Sequence, residues 1–265
     1  MRNVAIAALA VAAGSAFAGV SQNDAVKIQS HIDYNVATGE ITRIFTDGTT
    51  SSSQSSRMPV DMYRNTAAVE AGTTNDAGLL LGDDVTIGTS GRLDVIETSV
   101  VNFTGPGVGF FETGTLLDGT LSVEFWTING AGDGLDTQFF DLDIDIGDLF
   151  GPAGLAGGGS GSFLTLSGLS GLGLDLTAGD QFVVGSRYEN LSFAGGQNAG
   201  DDLGQLTSAG PATAGSSQGV FFIEGFGFGS FSTINSDLQW ALVTPAPGAL
   251  ALLGLGGFAA TRRRR

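Results

Sequence analysis

The sequence predicts an all-β protein, a β-sandwich with jelly-roll-like connections, on three observations. Short apolar runs alternate with polar residues at the two-residue period of a half-buried strand. Clusters of Gly, Asn, Asp and Ser break these runs about every ten residues, as turns do. No stretch of the body sustains a helical period. Long connections alternate with tight turns, which favours the jelly-roll-like arrangement over a plain meander. With 265 residues and 18 phenylalanines the chain can bury a core without staples. It has no cysteine.

Taken in order, Val26 to Val36 and Ile41 to Phe45 read as a strand pair around the turn Ala37–Glu40. Residues 45–60 are polar and of low complexity, a flexible loop by composition. Met58 to Leu81 carries no clear pattern, although Asn65 to Glu70 suits a helical turn. Gly82-Asp83-Asp84 reads as a turn before a brief strand, Val85–Ile87. Arg92 to Phe103 is a longer β run rich in Val, Ile and Thr. The clearest alternation follows. Leu121, Val123 and Phe125 share one face, opposite Ser122 and Glu124. In Phe139 to Ile146, Phe140, Leu142, Ile144 and Ile146 oppose Asp141, Asp143 and Asp145. Gln181 to Tyr188 is a strand that Asn190 to Phe193 continues after a bulge. Ala194 to Gly219 reads as one long loop. Val220–Glu224 and Leu238–Val243 are the last strands, with Trp240 as a core anchor.

Both ends differ from this body. At the front, Arg2 precedes the apolar run Val4 to Ala13, and Ala16-Phe17-Ala18 is a small-x-small cleavage site. Residues 1–18 therefore read as a signal peptide, with Gly19 opening the mature chain. At the back, residues 244–265 carry three parts: Pro245-Ala246-Pro247-Gly248, an apolar run Ala249–Ala260, and Arg262, Arg263, Arg264 and Arg265. The prolines hold the first part extended. Twelve residues rise only about 18 Å as a helix against a hydrocarbon core of about 30 Å. The expectation is a short transmembrane-type helix that spans weakly and transiently, with the arginines acting as a cytoplasmic stop. The body is then residues 19–243.

This order of proline pair, apolar helix and basic cluster resembles the PEP-CTERM sorting signal. The glutamate usual between the prolines is Ala246 here, so the resemblance is to a PAP-type variant. It implies recognition by an exosortase, a membrane transpeptidase-like processing enzyme. It also implies export to the cell envelope, the outer surface or an extracellular matrix. The runs 82–93 and 121–134 and the strand holding Trp240 are similar to a secreted sandwich body found with such tails.

Charge and chemistry narrow the body's role. All 27 acids lie between the two end segments, against six basic residues: Lys27, Arg43, Arg57, Arg64, Arg92 and Arg187. So acidic a surface repels phosphate backbones, which argues against nucleic acid as a partner. Asp141, Asp143 and Asp145, with Asp148 nearby, have the alternate spacing that puts carboxylates on one side of an extended segment, as calcium requires. The EF-hand pattern fails, with Ile146 at its sixth position and Pro152 at its twelfth. A solvated strand face reads equally well. Asp133 and Asp136 are a second candidate pair. Calcium is the one cofactor the pattern admits.

His31 is the single histidine, so a hydrolytic triad has one place to form, and there it reads as a surface residue beside Asp33. No nucleophile–base pair or isolated carboxylate pair stands out. Phe226, Phe228 and Phe231 would make either core or an aromatic strip for stacking on sugars. The expectation is a non-enzymatic structural or interaction protein. A polysaccharide-binding module, with or without calcium, is the alternative, and a secreted hydrolase a third.

Overall fold

The computed structural model describes residues 26–45, 60–66, 72–75, 78–103, 114–195, 203–208, 211–229 and 237–245. Ala16, Ala18 and Gly19, the apolar tail with Ala246, Pro247 and Gly248, and Arg262 to Arg265 lie outside them. So do Phe231 and nearly all of the 45–60 loop.

Among the described residues the fold is all-β and sandwich-like. Its strands are β1 (Lys27–Asn35), β2 (Glu40–Phe45), β3 (Val60–Asn65), β4 (Gly72–Asn75), β5 (Leu81–Thr86), β6 (Gly91–Arg92), β7 (Val95–Asn102), β8 (Thr115–Ile128) and β9 (Leu135–Asp145). After the one-turn helix α1 (Ile146–Phe150) come β10 (Ser160–Ser167), β11 (Asp175–Leu176), β12 (Gln181–Ala194), β13 (Leu203–Ser208), β14 (Phe221–Ile223), β15 (Gly227–Gly229), β16 (Asp237–Leu238) and β17 (Trp240–Thr244).

Two sheets form. Sheet A follows the order β16-β13-β7-β10-β1-β2, with β4 beside β13 and β17 seated between β7 and β3. The free edge of β7 is shared: β13 pairs near Asn102, and β17 pairs near Ile96. Sheet B is the antiparallel order β15-β14-β5-β12-β8-β9. β1 and β10 run parallel and are joined in register from Lys27–Ser160 to Asn35–Ser167. The pair β6 and β11 stands apart from both sheets.

Alternation decides which side of each strand is buried. Leu121, Val123 and Phe125 of β8 and Phe182 and Val184 of β12 point inward from sheet B. Ile96, Val100, Leu164, Leu166, Trp240 and Leu242 meet them from sheet A in a single apolar core. Trp240 is fully buried, as the sequence predicts. A bulge in β9 beside Phe125 sets both Phe139 and Phe140 against that ring, with centroids 6.0 and 4.7 Å away. The segment after β13 stitches the sheets together: Ala214 bridges to Arg64 of β3, and Ser216 to Thr86 of β5.

Three local expectations are corrected. Gly82, Asp83 and Asp84 form no turn; they lie inside β5, between β12 and β14, and are buried. Gly82 is required there because an added Cβ would lie 2.7 Å from Val183 Cγ1 and 3.0 Å from the Val184 carbonyl oxygen. The long connection Ala194–Gly219 contains a fully buried strand, β13. Ile146 does not prolong the strand before it. Asp145 ends β9 as the N-cap of α1, accepting a hydrogen bond from the Asp148 amide at 2.9 Å.

No helix among the described residues is long and apolar enough to cross a membrane, and the apolar run 249–260 lies outside those residues.

Candidate functional site

The outer face of sheet B departs most from a plain solvated surface. A strand face turned to water carries polar residues that need no partners. Here Glu124 of β8 projects outward yet is almost wholly buried. Arg187, on the neighbouring β12, explains this. Its Nε lies 2.6 Å from Glu124 Oε1, and its Nη1 lies 2.6 Å from Glu224 Oε2. Nη1 also donates to the Gly78 carbonyl. Trp126, two residues along β8 and on the same face, donates from its indole Nε1 to Glu124 Oε2 at 2.7 Å.

Glu224 arrives from the turn joining β14 to β15. An added Cβ at Gly227 of β15 would meet the Asp133 carbonyl oxygen at 3.0 Å, so this hairpin reaches the β8–β9 loop. Beneath it Leu80, Val183 and Phe222 form a second apolar cluster, flanked by Trp126, Ile128, Leu135 and Phe228. Phe222 and Phe228 pack edge-to-face at 5.1 Å. The cluster withdraws the charges beside it from water. Burial works against the Arg187 charge, but Glu124 and then Glu224 outweigh it and hold the guanidinium pKa above its ordinary value.

The acidic row predicted on β9 borders this network. Asp141 lies directly across from Glu124, and Asp143 across from Ser122. Their roles diverge. Asp141 is exposed, and its pKa is raised by partial burial and by repulsion from Asp143 and Glu124, with Arg187 offsetting part of the rise. Asp143 accepts a hydrogen bond from the Ser122 hydroxyl. Asp145 is engaged in capping α1. Among the described residues no three Asp, Glu, His or Cys side chains are placed to hold a metal ion between them.

The remaining candidates are dispersed. Asp133 accepts from Asn129 Nδ2 at 3.0 Å within the β8–β9 loop, and Asp136 is exposed at the start of β9. His31 lies on β1, its ring 5.1 Å from Phe163, with the imidazole pKa lowered by burial. Phe226 is half exposed at the β14–β15 tip, whereas Phe228 is packed in the second cluster. Pro245 follows β17 directly.

Sequence reasoning places Glu124 and Asp141 on the outer side of sheet B but misses Arg187 and Glu224. One signal was available: Arg187 is a lone cation inside the apolar run of β12. A buried arginine demands carboxylates.

No known protein family, curated protein or solved structure matches the chain.

Proposed function

We propose that this chain is an exported, non-enzymatic sandwich protein of the cell surface or extracellular matrix, delivered through a C-terminal signal of the exosortase type. On this reading the body is jelly-roll-like, and the apolar tail forms a short transmembrane-type helix only until processing. The observation that carries it is the place where the body ends. β17 is locked between β3 and β7 and stops at Thr244, immediately before Pro245 opens the proline–apolar–arginine order. A cut near Pro245 would leave every described strand intact.

Mass spectrometry of both ends of the protein recovered from its native host tests this directly. The expected mature chain begins near Gly19 and has lost Arg262 to Arg265. Recovery of the intact chain from the cytoplasm would overturn the proposal.

A second reading, polysaccharide binding, is favoured by the aromatic and charged groups gathered on sheet B. Trp126 lies beside the Arg187–Glu124 pair, and Phe226 stands exposed on the hairpin that supplies Glu224. Aromatic faces stack on sugar rings, and fixed charges orient hydroxyl groups. Binding on a glycan array that weakens in F226A would support it; silence across the array would count against it.

A further inference from the structure

A second set of polar groups lies where the two sheets meet, far more deeply buried than the network on the outer face. Asp83 projects from the middle of β5, between Val184 of β12 and Phe221 of β14, both core residues. Asp237 opens β16 in sheet A. Tyr63 and Asn65 are two residues apart on β3. Asp83, Tyr63 and Asn65 have no solvent exposure, and Asp237 is 5 % exposed.

These groups are tied together. Asn65 Nδ2 donates to Asp237 Oδ2 at 2.8 Å, and Ser217 Oγ donates to the same oxygen. The Leu238 amide donates to Asp83 Oδ2 at 3.1 Å, which links the sheets through this carboxylate. Tyr63 lies within electrostatic reach of both Asp83 and Asp237.

The bonds stop short of satisfying the cluster. Asp83 Oδ1, Asp237 Oδ1, Asn65 Oδ1 and the Tyr63 hydroxyl are buried without a well-formed hydrogen bond, although the Tyr63 hydroxyl lies near Ser217 and Asn65. Because the Asn65 amide nitrogen is committed to Asp237, its oxygen is the end left to accept. Among the described residues no ion pair reaches Asp83 or Asp237. The ion pairs of Arg64, Arg92 and Arg187 all go to other acids. The charged neighbours acting on Asp83 are Asp237 and Asp84, both negative, and burial with this repulsion pushes its pKa well up.

Buried carboxylates without a counter-charge are costly unless something neutralises them. A proton shared between Asp83 and Asp237 would cancel one of the two charges and leave the Asn65 oxygen to the Tyr63 hydroxyl alone. A cation would satisfy both demands. The unmet groups are all oxygens: two carboxylates, an amide and a phenol. That is the donor chemistry of a hard cation, and calcium tolerates such a mixed, irregular shell completed by water. No third carboxylate is required, because the amide and hydroxyl oxygens stand in its place.

We propose that Asp83, Asp237, Asn65 and Tyr63 form a buried structural site for one hard divalent cation, calcium by class, that clamps sheet A to sheet B.

The test uses the full chain freed of metal with EGTA. Melting is followed while calcium chloride or magnesium chloride is added, and isothermal titration calorimetry gives the stoichiometry. The expected result is one calcium per chain and a rise in Tm that saturates with calcium, since a ligand bound only by the folded state stabilises it by mass action. N65L, which keeps both carboxylates, is expected to weaken calcium at least tenfold, and D237N further. D141N/D143N, which changes only the exposed row on β9, should leave the titration unchanged. Wild-type protein with no binding heat and an unmoved Tm across the calcium titration would overturn the proposal, whatever the variants do. So would a calcium response abolished by D141N/D143N and retained in D237N.

Discussion

Arg187 and Glu124 meet diagonally across the β12–β8 ladder, Nε to Oε1 at 2.6 Å, with side chains only 15 % and 6 % exposed. Such a pair is costly to break from one side, because the charge left behind has no partner and little water. R187A is therefore expected to lower stability by about 3–5 kcal/mol. R187M/E124L should lose markedly less than R187A, since no charge is stranded. Equilibrium urea denaturation of the variants measures this, and a double variant no better than R187A would contradict it.

Two aspartates of β9, Asp141 and Asp145, should separate when changed singly. D145A removes the N-cap of α1 and is expected to cost about 1 kcal/mol. D141N removes repulsion from Asp143 and Glu124 and should leave stability level or slightly raised at neutral pH. Thermal melts of the two variants side by side decide it. Equal losses would show that the row acts as one unit.

Gly215 sits between the two bridges that stitch the sheets, with φ +69°. An added Cβ would lie 2.3 Å from the Thr86 carbonyl oxygen. G215A is expected to destabilise by more than about 1 kcal/mol, because the conformation and the backbone both resist it. Gly132, also at positive φ, has an open loop around it, and G132A should cost less. Denaturant midpoints compare the two.

His31 gives a pH dependence of defined sign. Burial against Phe163 lowers its pKa below the ordinary 6.5, so on acidification the unfolded chain takes up the proton first. Its contribution is complete above the unfolded value and is lost as the pH falls through the folded one. Stability measured from about pH 7 down to 5 should decline more steeply in wild type than in H31F, which cannot titrate. Parallel curves would rule out a part for His31.

The strands legible in the sequence are those whose apolar and polar residues alternate. β8, β9 and the bulged β12 read correctly because apolar and polar residues alternate along them, although in β8 and β12 the outer residues are buried too, under the Arg187 network and the second apolar cluster. β5 was hidden because Gly82-Asp83-Asp84 has the composition of a turn, and here it serves close packing and a buried polar cluster. β13 was hidden because all six of its residues are buried, small and polar ones included, so no alternation survives. Of the outer-face network, the acids were visible as a periodic row. Arg187 and Glu224 were not, since they meet only after β14 folds beside β5.

The placing of β17 closes sheet A with a strand far in sequence from both of its partners. The last described strand lies between β3 and β7 in sheet A and supplies Trp240 to the core. A chain lacking it would leave β3 without its partner strand and the Val95–Glu97 end of β7 uncovered, with no central indole. Closing sheet A therefore depends on pairings between residues more than a hundred positions apart, the kind of contact that forms slowly.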